Sequence, residues 1–163
     1  MAAPPPLTDK EERFLQALVE EGVDFLVVGL AAAALQGAPA VTQDIDLWFR
    51  DLSDPALGRA LRRSGATYIP PGPHNPPLLA AGDAGLFDVV TTMDGLGTFR
   101  QEARRAVRVP IGAIEVPVLP LARVIASKKA SGRPKDRAVL PALEDALRVL
   151  TSRKRARRRR TRG

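Results

Sequence analysis

The run Asp44-Ile45-Asp46-Leu47 constrains this chain more than any other stretch of it. Acidic and apolar residues alternate. As a β-strand, the segment turns Asp44 and Asp46 to one side and Ile45 and Leu47 into a core. Two carboxylates aimed at one place repel each other unless a cation stands between them. A hard divalent ion with oxygen ligands, Mg²⁺ or Mn²⁺, meets that need. The acid pair therefore points to phosphoryl chemistry.

The rest of the composition narrows the setting. One domain is expected of 163 residues, and 45% apolar residues are enough for a core. Aromatic residues make up only 4%, so that core must be aliphatic. The absence of cysteine excludes disulfides and thiolate metal sites and fits a reducing compartment. No apolar run reaches the ~18 residues of a membrane span. The segment Met1-Ala2-Ala3-Pro4-Pro5-Pro6 lacks the pattern of a signal peptide. A cytoplasmic protein without membrane contact is the expectation.

The net charge of +7 is unevenly placed. Eight of the 25 Lys and Arg residues fall within positions 153–163, which hold no acid. The remaining 17 face 18 acidic residues, so the body carries −1. Arg153, Lys154, Arg155, Arg157, Arg158, Arg159 and Arg160 are thus candidates for nucleic-acid contact through phosphates and counterion release, with RNA as the favoured partner. A solvated, disordered end with no specific partner is the alternative.

Residues 1–7 read as a disordered leader, 8–150 as the domain and 151–163 as a basic, disordered tail. Thr8 and Glu11 form a capping-box pattern ahead of Phe14, Leu15, Leu18 and Val19 at helical spacing, with Gly22 as the stop. Asp24 to Val28 reads as a short buried strand. Leu30 to Gln36 suits a short helix closed by Gly37, and the acidic strand runs from about Asp44 to Phe49. A helix follows from Ser53 and Pro55 to Ser64-Gly65. Residues 70–77 (PPGPHNPP) lack too many donors for regular structure; His74, the only histidine, lies there and is given no role. Leu86 to Thr91 reads as a strand. Thr98 and Gln101 cap a basic helix carrying Arg100, Arg104 and Arg105. A hairpin turns around Gly112, between strands at Val107–Val109 and Ile114–Leu119. Helices are expected at Leu121–Ala130, broken by Gly132-Arg133-Pro134, and from about Lys135 to Leu150, with a kink or late start at Pro141. The order αβαβαβαββαα describes an α/β (α+β) fold, a mixed sheet backed by helices.

A third acid should join the pair from a neighbouring strand. Asp88 is the candidate, because it sits in the apolar run Leu86-Phe87-Asp88-Val89-Val90, where an unpaired charge is costly. An ion pair or a helix cap would also explain it. Asp83 and Asp94 lie in Gly-rich turns and read as solvated turn acids. Three carboxylates holding one or two Mg²⁺ ions would polarise a nucleoside triphosphate and lower the pKa of an attacking hydroxyl. Gly29 leads from a strand into a helix, where backbone N–H groups could meet a phosphate; a plain tight turn is the alternative.

Val27-Val28-Gly29-Leu30, a spacer of thirteen residues, and Asp44-Ile45-Asp46-Leu47 together resemble the signature of the nucleotidyltransferase superfamily. Gly37, Thr42, Phe87-Asp88-Val89-Val90, Lys128, Gly132-Arg133-Pro134 and Asp136 match, in order, the pattern of small bacterial nucleotidyltransferase-like proteins related to the AbiEii toxins. The resemblance spans roughly residues 12 to 150. It implies a nucleotidyltransferase (polymerase β-like) fold, with Asp44, Asp46 and Asp88 as catalytic and metal-holding acids and Asp88 taking the acceptor's proton. It also implies nucleotide binding by Gly29, Leu30, Thr42, Lys128 and Arg133, and an antitoxin-like protein partner. Lys128 would hold a β- or γ-phosphate as a point charge. Lys129, Arg133 and Lys135 would assist it, or cover a helix end as solvated cations. Asp136 reads as an N-cap or a partner of Arg133.

Three positions depart from the family pattern. Leu30 replaces a Gly or Ser and is expected to crowd the triphosphate. Gln36 stands where His is common. Ala40 stands where Arg is common and removes a phosphate contact. The leading expectation is transfer of a nucleoside monophosphate from a triphosphate to a hydroxyl of RNA, in particular tRNA, or of protein, in a toxin-like role. The alternative is a degenerate domain of the same fold that binds nucleic acid or a protein. A small-molecule acceptor is disfavoured because so short a chain leaves little to build a recognition domain.

Overall fold

The computed structural model describes residues 7–42, 44–74, 77–80 and 86–162. Most of the expected leader and Asp83 lie outside them.

Helix α1 (Asp9–Glu20) starts where the capping box places it. The Thr8 hydroxyl accepts from the Glu11 N–H, and the Glu11 carboxylate accepts from the Thr8 N–H. Its apolar stripe buries Phe14, Leu15 and Leu18, and Phe14 meets Phe87 with ring centroids 4.6 Å apart. Strand β1 (Phe25–Val28) is buried at every position and passes directly into α2 (Gly29–Leu35). Strand β2 (Ile45–Phe49) begins one residue after Asp44 and is buried except at Asp46. Continuous burial of β1 and β2 marks them as central strands covered on both faces. Helix α3 (Pro55–Ser64) is capped by Asp54, carries Pro55 in its first turn and ends on the left-handed Gly65.

Two strands, β3 (Thr67–Ile69) and β4 (Leu78–Ala80), flank the proline segment and form an antiparallel pair that the sequence pattern does not reveal. Each is three residues long, too short for alternation to register. Strand β5 (Leu86–Val90) follows, then α4 (Phe99–Ala103) behind a second complete capping box at Thr98 and Gln101. Strands β6 (Val107–Ile111) and β7 (Ile114–Val118) form the expected hairpin. Helices α5 (Leu121–Ser131) and α6 (Pro134–Arg160) complete the chain.

The seven strands form one mixed sheet in the order β3-β4-β5-β2-β1-β7-β6. β2 pairs antiparallel with β1 and parallel with β5, so its acidic segment lies between them. α1 packs on α3, and α5 packs on α2 and α6.

The last helix departs from expectation in its extent: α6 does not start late at Pro141, and it continues to Arg160 instead of giving way to a disordered tail at residue 151. Arg and Lys are good helix formers. No Gly or Pro intervenes between Ala142 and Arg162, and cations near a helix C-terminus are favoured by its dipole.

Candidate active site

The register of the sheet brings the first two site acids together. Asp46 on β2 stands directly opposite Asp88 on the parallel strand β5. Each carboxyl group acts on the ionisation of the other. Burial, followed by the charge of Asp88, raises the Asp46 pKa to about 6. Burial and the charge of Asp44 raise that of Asp88 as well, with Lys135 working against the shift. The pair is thus a concentration of negative charge that a proton relieves when no cation is present.

Asp46 also explains Gly29. The glycine follows Val28, the register partner of Asp46, and has φ +65°. A Cβ added there would lie 2.4 Å from Asp46 Oδ2. Only glycine allows both the left-handed backbone and the close approach of the carboxylate. Backbone and acid pair are therefore locked together at the β1–α2 junction.

Asp46 and Gly29 form one wall of a cleft of about 300 Å³. Val90, Thr92, Met93 and Asp94 form the second wall, and Ser127, Lys128, Ser131, Arg133 and Asp136 the third. This third wall follows from the Gly132-Arg133-Pro134 break. Gly132 closes α5 in the left-handed conformation, Arg133 occupies the N-cap position and Pro134 opens α6. The turn folds Asp136 back onto α5. It is 3% exposed and accepts from Lys128 Nζ at 2.8 Å, Ser131 Oγ at 2.6 Å and Arg133 Nε at 2.8 Å. Burial works to raise its pKa, but these three bonds overcome that effect and hold it well below the usual carboxylate range. Asp136 is thus the partner of Arg133 and not an N-cap. Lys128 is paired at one end and acts on Asp46 through its charge.

The other expected residues are placed as follows. Asp44 is exposed and couples to the pair through charge. The Thr42 hydroxyl donates to the Asp44 carbonyl at 2.7 Å and accepts from its N–H, so it shapes the turn before β2 and does not line the cleft. Leu30 is half-buried and packs on the hydrophobic core, outside the cleft lining. Gln36 has a structural task of its own. Its amide donates to Ala32 O and Leu119 O, and its Oε1 accepts from the Leu121 N–H, tying the end of α2 to the start of α5. Lys129 pairs with Glu144 at 2.6 Å. Arg153 to Arg160 lie on exposed α6, away from the cleft lining.

Several contributors were not legible beforehand. Ser131 follows Lys128 by one helical turn, a spacing that could have revealed it. Thr92 and Asp94 sit on the loop that leaves β5, the acid-bearing strand; Asp94 is an exposed turn residue, as expected, and also a cleft residue. That loop is held by Glu102, which is 1% exposed, pairs with Arg123 at 2.7 and 2.9 Å and accepts from the Gly97 N–H.

The donor set fits a hard divalent ion. Mg²⁺ is commonly bound by one or two carboxylates, with water and substrate phosphates completing its shell. Asp46 and Asp88 supply that number. Among the described residues, no group of three or more acidic, His or Cys side chains stands at metal-binding spacing. Among the described residues the three acids do not form a preformed cage, and Asp44 is exposed at the start of the strand.

No protein-family model and no curated protein sequence matches this chain. Solved structures do. ANT(2'')-Ia, described as an antibiotic-resistance factor, aligns with a TM-score of 0.58 and 16% identity over 94% of this chain and 93% of that one. A crystal structure of ANT(2'')-Ia with adenylyl-2''-tobramycin aligns with a TM-score of 0.57 and 18% identity over 90% and 95%. An antigenic nucleotidyltransferase-like protein from Paracoccidioides brasiliensis gives 0.56 and 16% over 88% and 78%. The chain therefore has the nucleotidyltransferase fold. Among the described residues, no helix is long and apolar enough to cross a membrane.

Proposed function

We propose that the protein is a metal-dependent nucleotidyltransferase that moves a nucleoside monophosphate from a triphosphate to a hydroxyl of RNA. The observation that carries this reading is the Asp46–Asp88 pair, in register on adjacent parallel strands, with Asp46 against Gly29 and in the same cleft as Lys128. Mg²⁺ bound by Asp46 and Asp88 would supply Lewis-acid stabilisation of charge on the phosphates. The chain's own residues do the remaining work. Lys128 and Arg133, held in place by Asp136, offer cationic groups to the triphosphate. Gly29 lines the cleft beside Asp46, and the Leu30 side chain packs on the core and does not crowd it. Asp44, exposed and charge-coupled to the pair, joins the site when the nucleotide is bound. Asp88 takes the proton of the attacking hydroxyl as the bond to phosphorus forms and pyrophosphate leaves. The basic end of α6 favours RNA as acceptor. A toxin-like role with an antitoxin-like partner extends the same reading.

Incubation with each labelled triphosphate, Mg²⁺ and total RNA tests it, with protein and tobramycin as alternative acceptors. Label should enter RNA and be lost in Asp46→Ala. Transfer no greater than in that variant would remove the enzymatic reading in favour of a binding domain. Label on tobramycin alone would replace the acceptor.

A further inference from the structure

The end of α6 is charged to an unusual degree. Between Arg153 and Arg162, eight of ten residues are Lys or Arg, and all are exposed. At about 1.5 Å per residue this is about one charge per 1.9 Å, close to the one per ~1.7 Å of a nucleic-acid duplex. Ala156 is the sole apolar side chain of the segment, so there is no apolar face for a lipid surface. Among the described residues, the last ion pair along the helix, Arg148 with Asp145, precedes it. The body's net charge of −1 adds nothing to polyanion attraction.

Where the charge sits relative to the cleft matters as much as its density. α6 begins at the cleft, since Arg133 and Asp136 line it, and runs without interruption to Arg160. From Arg133 to Arg153 is about 30 Å along the helix, and to Arg160 about 40 Å. A helically stacked strand, rising ~3.4 Å per phosphate, needs about nine nucleotides to cover the shorter distance, and a fully extended one, reaching about twice as far per nucleotide, needs about five.

We propose that the basic end of α6 anchors an RNA strand whose terminus reacts in the cleft, making α6 a ruler that favours acceptors longer than about five to nine nucleotides, according to how far the strand is extended. This rests on the transferase reading above. An RNA shorter than the gap can occupy the arm or the cleft but not both. A longer one gains the second attachment as an intramolecular step, which raises its effective concentration at the cleft.

The test compares the full chain with a variant in which Arg153, Lys154, Arg155, Arg157, Arg158, Arg159 and Arg160 are all changed to Gln. Single-stranded RNAs of about 3 and about 24 nucleotides serve as acceptors, chosen to lie either side of the span. Binding is read by fluorescence anisotropy between about 50 and 200 mM salt, without triphosphate; neutralising seven charges should flatten the slope of log K against log salt by about 5. In transfer assays the full chain should show a KM for the long RNA at least about tenfold below that for the short one. The variant should lose that difference through a rise in the long-RNA KM alone, with kcat and the melting temperature of the body unchanged. Label transfer indifferent to length, or length dependence retained in the variant, would overturn the ruler alone. Arm-dependent binding without any transfer would overturn the transferase reading and the ruler with it, leaving an RNA-binding helix. Preference for DNA, or equal binding to phosphatidylserine vesicles at the same salt, would overturn the assignment to RNA.

Discussion

At the scale of single residues, the site places stability and function in opposition at Asp46. A carboxyl with an ordinary value of 3.8 and a folded value of about 6 binds its proton more tightly in the folded state. Its contribution to stability is therefore fully present below about pH 3.8 and is lost as the pH rises through about 6. In metal-free protein, Asp46→Asn should raise stability at pH 7.5 by about 1–3 kcal/mol, seen as a higher melting temperature, while abolishing transfer. Mg²⁺ held by the pair, as proposed, would compete with that same proton. Its stabilising effect should be marked at pH 7.5 and small at pH 5, and thermal melts across this range with and without Mg²⁺ check it. Asp136 carries the opposite sign. Its folded pKa is depressed, so its contribution is present above the ordinary value of 3.8 and lost as the pH falls below it. The two acids on facing walls of one cleft thus titrate in opposite directions from a common starting point.

At the scale of elements, the junctions position the chemistry. Gly29→Ala would combine a left-handed φ with a Cβ 2.4 Å from Asp46 Oδ2. It should cost about 1–3 kcal/mol, or roughly 2–4 °C of melting temperature per kcal/mol for a chain of this size, and should weaken Mg²⁺ binding by displacing the carboxylate. Glu102→Ala would leave Arg123 without its partner and free the Gly97 N–H. A loss of about 3 kcal/mol is expected, measured by urea unfolding. What the sequence could show at this scale follows from range. Capping boxes at Thr8 and Thr98 and glycines 65, 112 and 132 act within a few residues, so their elements stand where expected. Asp88 was legible because a charge in a continuous apolar run needs a partner. The Glu102–Arg123 pair joins helices 21 positions apart, and Gln36 reaches Leu119 and Leu121 across more than 80; no local pattern signals such contacts. Strands β3 and β4 were hidden by their shortness. The helical end of α6 was misread because like charges imply repulsion, whereas Arg also favours helix.

At the scale of the whole molecule, one sheet and one long helix divide the labour. The sheet sets the acids in register, and α6 links the cleft to a dense positive charge. That helical end is exposed throughout, and its i,i+4 Arg pairs each oppose it by a few tenths of a kcal/mol. Its helicity should therefore rise when phosphate or polyphosphate is added, read as an increase in the 222 nm circular dichroism signal that the seven-Gln variant lacks. The central claim is that the Asp46–Asp88 pair binds a metal–nucleotide complex. Calorimetric titration of a non-hydrolysable triphosphate analogue at pH 7.5, with and without Mg²⁺, into the wild-type chain, Asp46→Asn and Asp88→Asn tests it most directly. Binding that requires Mg²⁺ and weakens at least about tenfold in each variant, a loss of about 1.4 kcal/mol, is the outcome expected. Binding indifferent to Mg²⁺ or to both substitutions, or no binding at all, would contradict it.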